Sequence, residues 1–156
     1  MPSTRRRRHL GLAGFVAFVC VAALVLTLPV HGPLRGLSFG LGYASLALLL
    51  LTLAIGPWTV IRGRQMPVST MFRRDVGIWA GLTGCLHVGF GLQSHFGGRI
   101  VRYFFLDGSG WVPDLSPFGL ANWVGAGATL ILVGLLLLSN TLSLRVLGAG
   151  RWKSWQ

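Results

Sequence analysis

Glutamate is absent from this chain, and aspartate occurs only as Asp75, Asp107 and Asp114. Charged residues make up 11% of 156, where a soluble domain usually carries about a quarter. So little charge excludes an ordinary solvated surface. Cysteine is also scarce. Cys20 and Cys85 both sit in apolar runs, with no CxxC or other metal-type spacing, and read as small buried hydrophobes. Heptads, internal repeats, low-complexity linkers and flavin or nucleotide motifs are missing as well. The chain therefore reads as one membrane domain with no soluble catalytic domain attached.

Apolar residues, by contrast, make up 53% of the chain, and mean hydropathy is +0.67. A helix needs about 20 apolar residues to cross the hydrocarbon core of a bilayer. Four stretches qualify, at 10–28, 37–60, 76–96 and 118–144, within a membrane domain at 10–144. Pro29 is expected to stop the first, Pro57 lies near the end of the second, and Pro113 and Pro117 signal turns before the fourth. The fold class expected is all-α, a polytopic bundle of four transmembrane helices.

The formal net charge of +11 would point to nucleic acid in a soluble protein. Here the basic residues lie between the apolar runs, so no nucleic-acid partner is expected and the charge reports topology. Eleven Lys and Arg fall on one side, in the 1–9 segment, the 61–75 loop and the 145–156 segment; Arg35, Arg99 and Arg102 fall on the other. The basic side is expected to be cytoplasmic, with both termini there. Trp58, Trp152 and Trp155 near the inner boundary, and Trp111 and Trp123 near the outer one, suit aromatic belts. The N-terminus also has the outline of a signal peptide. Its apolar run is long for that role, and Leu28-Pro29-Val30-His31 offers no A-x-A site, so the segment is expected to be retained.

Ionisable groups within a span are functional candidates by default. Only His87, near the middle of the third run, and His95, near its outer end, qualify; with no other such group, a proton relay or channel has little support. At 3.6 residues per turn, Ala80, Gly84, His87, Gly91, His95 and Gly98 share one stripe. Glycines one turn either side of His87 would let a flat, bulky group lie against the helix with the imidazole projecting towards it. Haem iron is commonly held by such an imidazole. The same pattern also suits close helix packing with a hydrogen-bonding histidine, and both readings stay open. Arg99, Arg102 and Tyr103 at the outer boundary suit pairing with haem propionates or anchoring of the helix end. His9 is expected to be solvated among the arginines, His31 to lie in an outer loop, and Asp75 to cap the third helix.

These residues also carry a family resemblance. From Gly42 to Trp155 the chain resembles the ferric reductase-like transmembrane domain family, nearest to its branch of haem-binding subunits in bacterial periplasmic methionine sulfoxide reductase systems. Leu50–Trp58 (LLTLAIGPW) is similar to the family's Thr-Leu…Pro end of a span, and Arg73, Arg74 and Gly77 to its double-arginine helix start. Leu86-His87 matches its Leu-His pair, and 138–155 resembles the stretch leading through Leu-Gly…Arg-Trp-Lys towards a further span. The resemblance implies a six-helix domain, of which this chain looks like the first part. It implies haem b, with His87 as an axial ligand and His95 as a second site residue in some branches. It further implies an inner-membrane electron-transfer subunit rather than a self-sufficient enzyme, fed by a quinol or cytoplasmic donor and serving a periplasmic reductase.

In the family, the Arg-Trp-Lys stretch leads into another Leu-His motif, whereas this sequence stops at Gln156. Axial nitrogens on one iron are about 4 Å apart, each bond being near 2 Å. His87 and His95 are about 12 Å apart along a helix rising 1.5 Å per residue, so they cannot clasp one iron. The expectations are a truncated reading frame, a dimer partner or second subunit supplying the missing ligand, or haem held by one histidine or not at all. A structural or assembly protein without redox chemistry, or an inactive remnant, is the alternative.

Overall fold

A computed structural model describes residues 2–63, 68–108 and 110–139. Expectations for Arg64 and for 140–156, including the end of the fourth run, Arg145, Arg151, Lys153, Trp152 and Trp155, lie outside the described residues. The described part is all-helical: α1 (Pro2–Ile61), α2 (Val68–Phe96), a 3₁₀ turn (Ile100–Tyr103) and α3 (Pro117–Leu138). The sole β pairing among the described residues is an isolated bridge between Phe105 and Pro113.

Helix α1 is a bent hairpin. Pro29 does not stop it, contrary to expectation; Pro29, Pro33 and Pro57 all lie within its bounds. The break is at Gly32, with φ 73° and ψ 172°, a conformation open to glycine and strained for any residue bearing a Cβ. Pro33 follows with its φ already fixed for a helix start, where a missing N–H costs nothing. The limbs 2–31 and 33–61 then run back along each other. A Cβ added to Gly36 would stand 2.7 Å from Thr27 Oγ1, and one on Gly40 would stand 2.6 Å from Cys20 Cα. Glycine at these two positions permits backbone-to-backbone approach.

Helix α2 lies between that hairpin and α3. Leu12 and Leu48, one from each limb, bury against Val76 and Ala80 of α2, with Val16, Leu49, Phe72 and Trp79 around them. On the other side, Leu136 and Leu132 of α3 press on Gly81 and Gly84. The contact partners show that α2 runs parallel to the first limb and antiparallel to the second limb and α3. Ser116 caps α3, accepting from the Gly119 N–H over 3.2 Å, and Pro117 occupies the first turn.

At the end of the bundle away from Gly32, two expectations fail. Helix α2 begins at Val68, so Asp75 lies within it and does not cap it. Asp75 is only 4% exposed and faces Arg8 at 3.4 Å and Arg5 and His9 at 3.9 Å. His9 is not merely solvated. Its Nδ1 accepts from the Trp79 indole over 3.0 Å; since indole N–H can only donate, the ring proton sits on Nε2, the nitrogen facing Asp75. The arginine run thereby ties the first limb to α2.

Two stretches, Thr4–Trp58 and Pro117–Leu138, are long and apolar enough to cross a membrane by length and composition. Much of their apolar surface is open: Leu26 is 79% exposed, Val30 77% and Leu130 74%. Helix α2 falls outside that class because its glycines, histidines, Gln93 and basic start lower its hydropathy.

Candidate functional site

The candidate site is a cavity of about 520 Å³ at the Gly32 end, between the second limb, α2, the 3₁₀ turn and α3. Phe39, Val88, Leu92, Phe104, Ala121 and Ala126 make most of its wall apolar, and Arg35, Ser38, His87, Ser94, His95, Tyr103 and Asn122 also line it. The chain returns to it through a tight loop. Gly97 and Gly98, at φ 59° and 82°, end α2 and turn the backbone. Gly98 therefore leaves the helical stripe on which the sequence placed it.

His87 is held across the α1–α2 interface. Its Nδ1 lies 2.7 Å from the Ser38 carbonyl oxygen and 3.2 Å from Ser38 Oγ. A carbonyl oxygen can only accept, so Nδ1 carries the ring proton. Ser38 Oγ in turn donates to the His87 carbonyl over 3.2 Å. This pairing leaves Nε2 as the lone-pair nitrogen, with no hydrogen bond to any described residue. Metal-bound histidines commonly show this arrangement, one ring nitrogen donating to a carbonyl while the other ligates.

Gly42 makes that geometry possible. A Cβ there would stand 2.9 Å from His87 Nδ1 and 3.0 Å from Cε1, so the ring could not lie against α1. Neither Ser38 nor Gly42 was singled out from the sequence. They sit 49 and 45 residues before His87, and only the antiparallel register of α1 and α2 brings them to it.

The remaining sequence candidates divide. Gly91 lines the cavity, and a Cβ there would meet only Ser38 Oγ at 3.4 Å. Gly84 lies a turn deeper, where a Cβ would stand 2.9 Å from Ser45 Oγ and 3.1 Å from Leu132 Cδ1; it serves helix packing. His95 lines the cavity from its exposed end. Its Nδ1 lies 3.0 Å from Ser94 Oγ, and its ring packs tilted on Phe118 and edge-on to Tyr103, with centroids 6.0 and 6.4 Å apart. Arg99 and Arg102 do not line the cavity. Arg102 pairs with Asp107, and the cavity's guanidinium belongs to Arg35. Tyr103 is buried and donates to the carbonyls of Gly91 and Leu92 over 3.0 and 2.9 Å, bracing the end of α2.

Among the described residues no group of three or more His, Cys, Asp or Glu side chains could hold a bare metal ion. The donor set is one half-buried imidazole with a free lone pair and a second, exposed one, on an apolar cavity. Such a set suits a group that brings its own equatorial ligands, as haem does.

The chain is 30% identical over 128 residues to the haem-binding subunit MsrQ of the protein-methionine-sulfoxide reductase of Azospira oryzae. The match covers 78% of this chain and 48% of that protein, so the chain spans about half the length of its curated relative. No family model matches the chain. No solved structure matches it either.

Proposed function

We propose that this chain is a haem-binding membrane subunit of an electron-transfer system, with His87 as an axial ligand to haem b. The observation that carries the reading is the His87–Ser38 pairing, which fixes the ring and turns a lone-pair nitrogen loose beside an apolar cavity. The likeness to MsrQ, a haem-binding subunit by name, supports it. The residues fit the group. His87 would hold the iron, Gly91 leaves room on the same face of α2, and His95 would ligate or hydrogen-bond towards the open end. When bound, haem supplies one-electron chemistry; the chain's part is to position it, exclude water and tune it.

In this reading the two limbs of α1, with α2 and α3, make four crossings of a bacterial inner membrane. At 1.5 Å per residue even the 22-residue α3 spans ~33 Å, enough for a hydrocarbon core of about 30 Å. The arginine-rich end lies in the cytoplasm with both termini, and the Gly32 end with the haem cavity faces the periplasm. Electrons arrive from a quinol or cytoplasmic donor and leave to a periplasmic reductase partner, in the manner of the ferric reductase-like domains that the sequence resembles. Any further ligand the haem takes opposite His87 would come from outside the described residues, and a second copy or another subunit is one source that fits.

A second reading has its own support: Gly84 packs on Ser45 and Leu132, and His87 is itself an interhelical bond. On that reading the chain is a structural or assembly protein without redox chemistry. Haem content of the purified chain and of His87→Ala separates the two. Haem bound by the wild type and absent from the variant supports the first reading; a wild type that retains no haem supports the second.

A further inference from the structure

Every acid of this chain is accounted for away from the cavity. Asp75 faces Arg5, Arg8 and His9 at the other end of the bundle. Asp107 pairs with Arg102. Asp114 accepts from the Ser116 N–H over 2.8 Å, and the sequence holds no glutamate. Arg35, three residues past the Gly32 turn, lines the cavity and makes no ion pair or hydrogen bond to any described residue.

The other polar groups of the wall are already committed. Tyr103 donates to helix carbonyls and Asn122 to the Tyr103 carbonyl over 3.2 Å. Ser38 is taken by His87, and Thr129 by the Gly125 carbonyl over 2.7 Å. Subtracting them leaves lone-pair imidazole nitrogen and one guanidinium without a counter-charge. A guanidinium stays protonated in proteins and presents a fork of donors matched to a carboxylate. On an apolar wall its attraction to an anion is screened less than in open water.

We propose that Arg35 is the anion-binding residue of this cavity, pairing with a carboxylate of the bound group, and that neither Arg99 nor Arg102 has that role. The inference rests on the haem reading above and goes further. It orients the haem, with a propionate towards the Gly32 end and the iron towards His87. It also makes the charge on the ligand a determinant of binding.

The test compares haemin with its dimethyl ester, whose propionates carry no charge, by titrating each into the purified full chain and into Arg35→Gln and Arg35→Lys. The wild type should bind haemin about tenfold or more tightly than the ester, the scale of a charge-assisted hydrogen bond. Arg35→Gln should erase that preference while binding the ester as the wild type does, and Arg35→Lys should keep part of it. A Gln variant that retains the full preference overturns the assignment and leaves the haem reading standing. One that loses both porphyrins alike shows Arg35 to be structural, which also overturns it. A wild type that binds neither porphyrin removes the haem reading and this inference with it.

Discussion

The Ser38 carbonyl oxygen and His87 Nδ1 stand 2.7 Å apart, across helices that meet 49 residues apart in sequence. A backbone acceptor cannot be removed by side-chain substitution, so this contact sets the imidazole tautomer whatever residue stands at 38. The ring's orientation depends on the space beside it.

That space is the absence of a side chain at Gly42. Gly42→Ala puts a methyl group 2.9 Å from Nδ1, well inside van der Waals contact, and the ring must swing away from Ser38. The expected result is at least a tenfold loss of haem affinity, about 1.4 kcal/mol, with helix content unchanged. Haem titration beside circular dichroism checks it; an unaltered affinity would show that the ring's position against α1 is immaterial.

Gly84 and Gly91 should behave in opposite ways although the sequence places both on the His87 stripe. Gly84→Leu collides with Ser45 and Leu132 and should destabilise the bundle by about 1–3 kcal/mol, the usual cost of overpacking. At Gly91 a Cβ meets only Ser38 Oγ, at 3.4 Å, and the position lies on the cavity wall, so Gly91→Leu should lower haem binding with little change in unfolding. Denaturation in detergent and porphyrin titration of the two variants give the comparison. Equal loss of stability in both would contradict the division.

Asp75→Asn removes the carboxylate that gathers Arg5, Arg8 and His9. Arg5 is largely exposed, with 65% of its side chain open, so its share is small. The buried end of the cluster should still cost about 1–3 kcal/mol when Arg8 loses its partner. Protease accessibility of the first limb is the readout. It should rise in the variant, and protection equal to the wild type would show that packing of Leu12 and Val16 alone holds the limb.

Gly32→Ala tests the hairpin. At φ 73° a Cβ is strained by roughly 1–2 kcal/mol, and α1 has a continuous helix as its alternative. Spin labels at the exposed Leu10 and Leu50, one on each limb at the same level of the hairpin, should lie close together with Gly32 in place and farther apart in the Ala variant. Equal separations would contradict a glycine-specific turn.

Much of this arrangement is readable in the sequence because apolar length and glycine punctuation are local signals. Gly97 and Gly98 take positive φ just past the end of α2 at Phe96 and Ser116 caps α3, although the helical stripe carried Gly98 on as helix. Pro29 misleads because a proline can sit within an apolar helix without ending it; the break comes at Gly32. Asp75 misleads because a carboxylate before an apolar run looks like a cap; its arginine partners lie about 70 residues away in sequence. His87 and His95 stand out as the two ionisable groups of an apolar run. Ser38, Gly42 and Arg35 do not, since serine, glycine and a flanking arginine are ordinary in such helices. Only the antiparallel register of α1 and α2 gives them meaning.

The central claim is that His87 ligates haem, and a reduced-minus-oxidised visible spectrum of the purified chain tests it most directly. The wild type should show a b-type signal, and His87→Ala should lose it while keeping its helix content. A signal that persists unchanged in His87→Ala, or a wild type that shows none after haemin is supplied, would contradict the account.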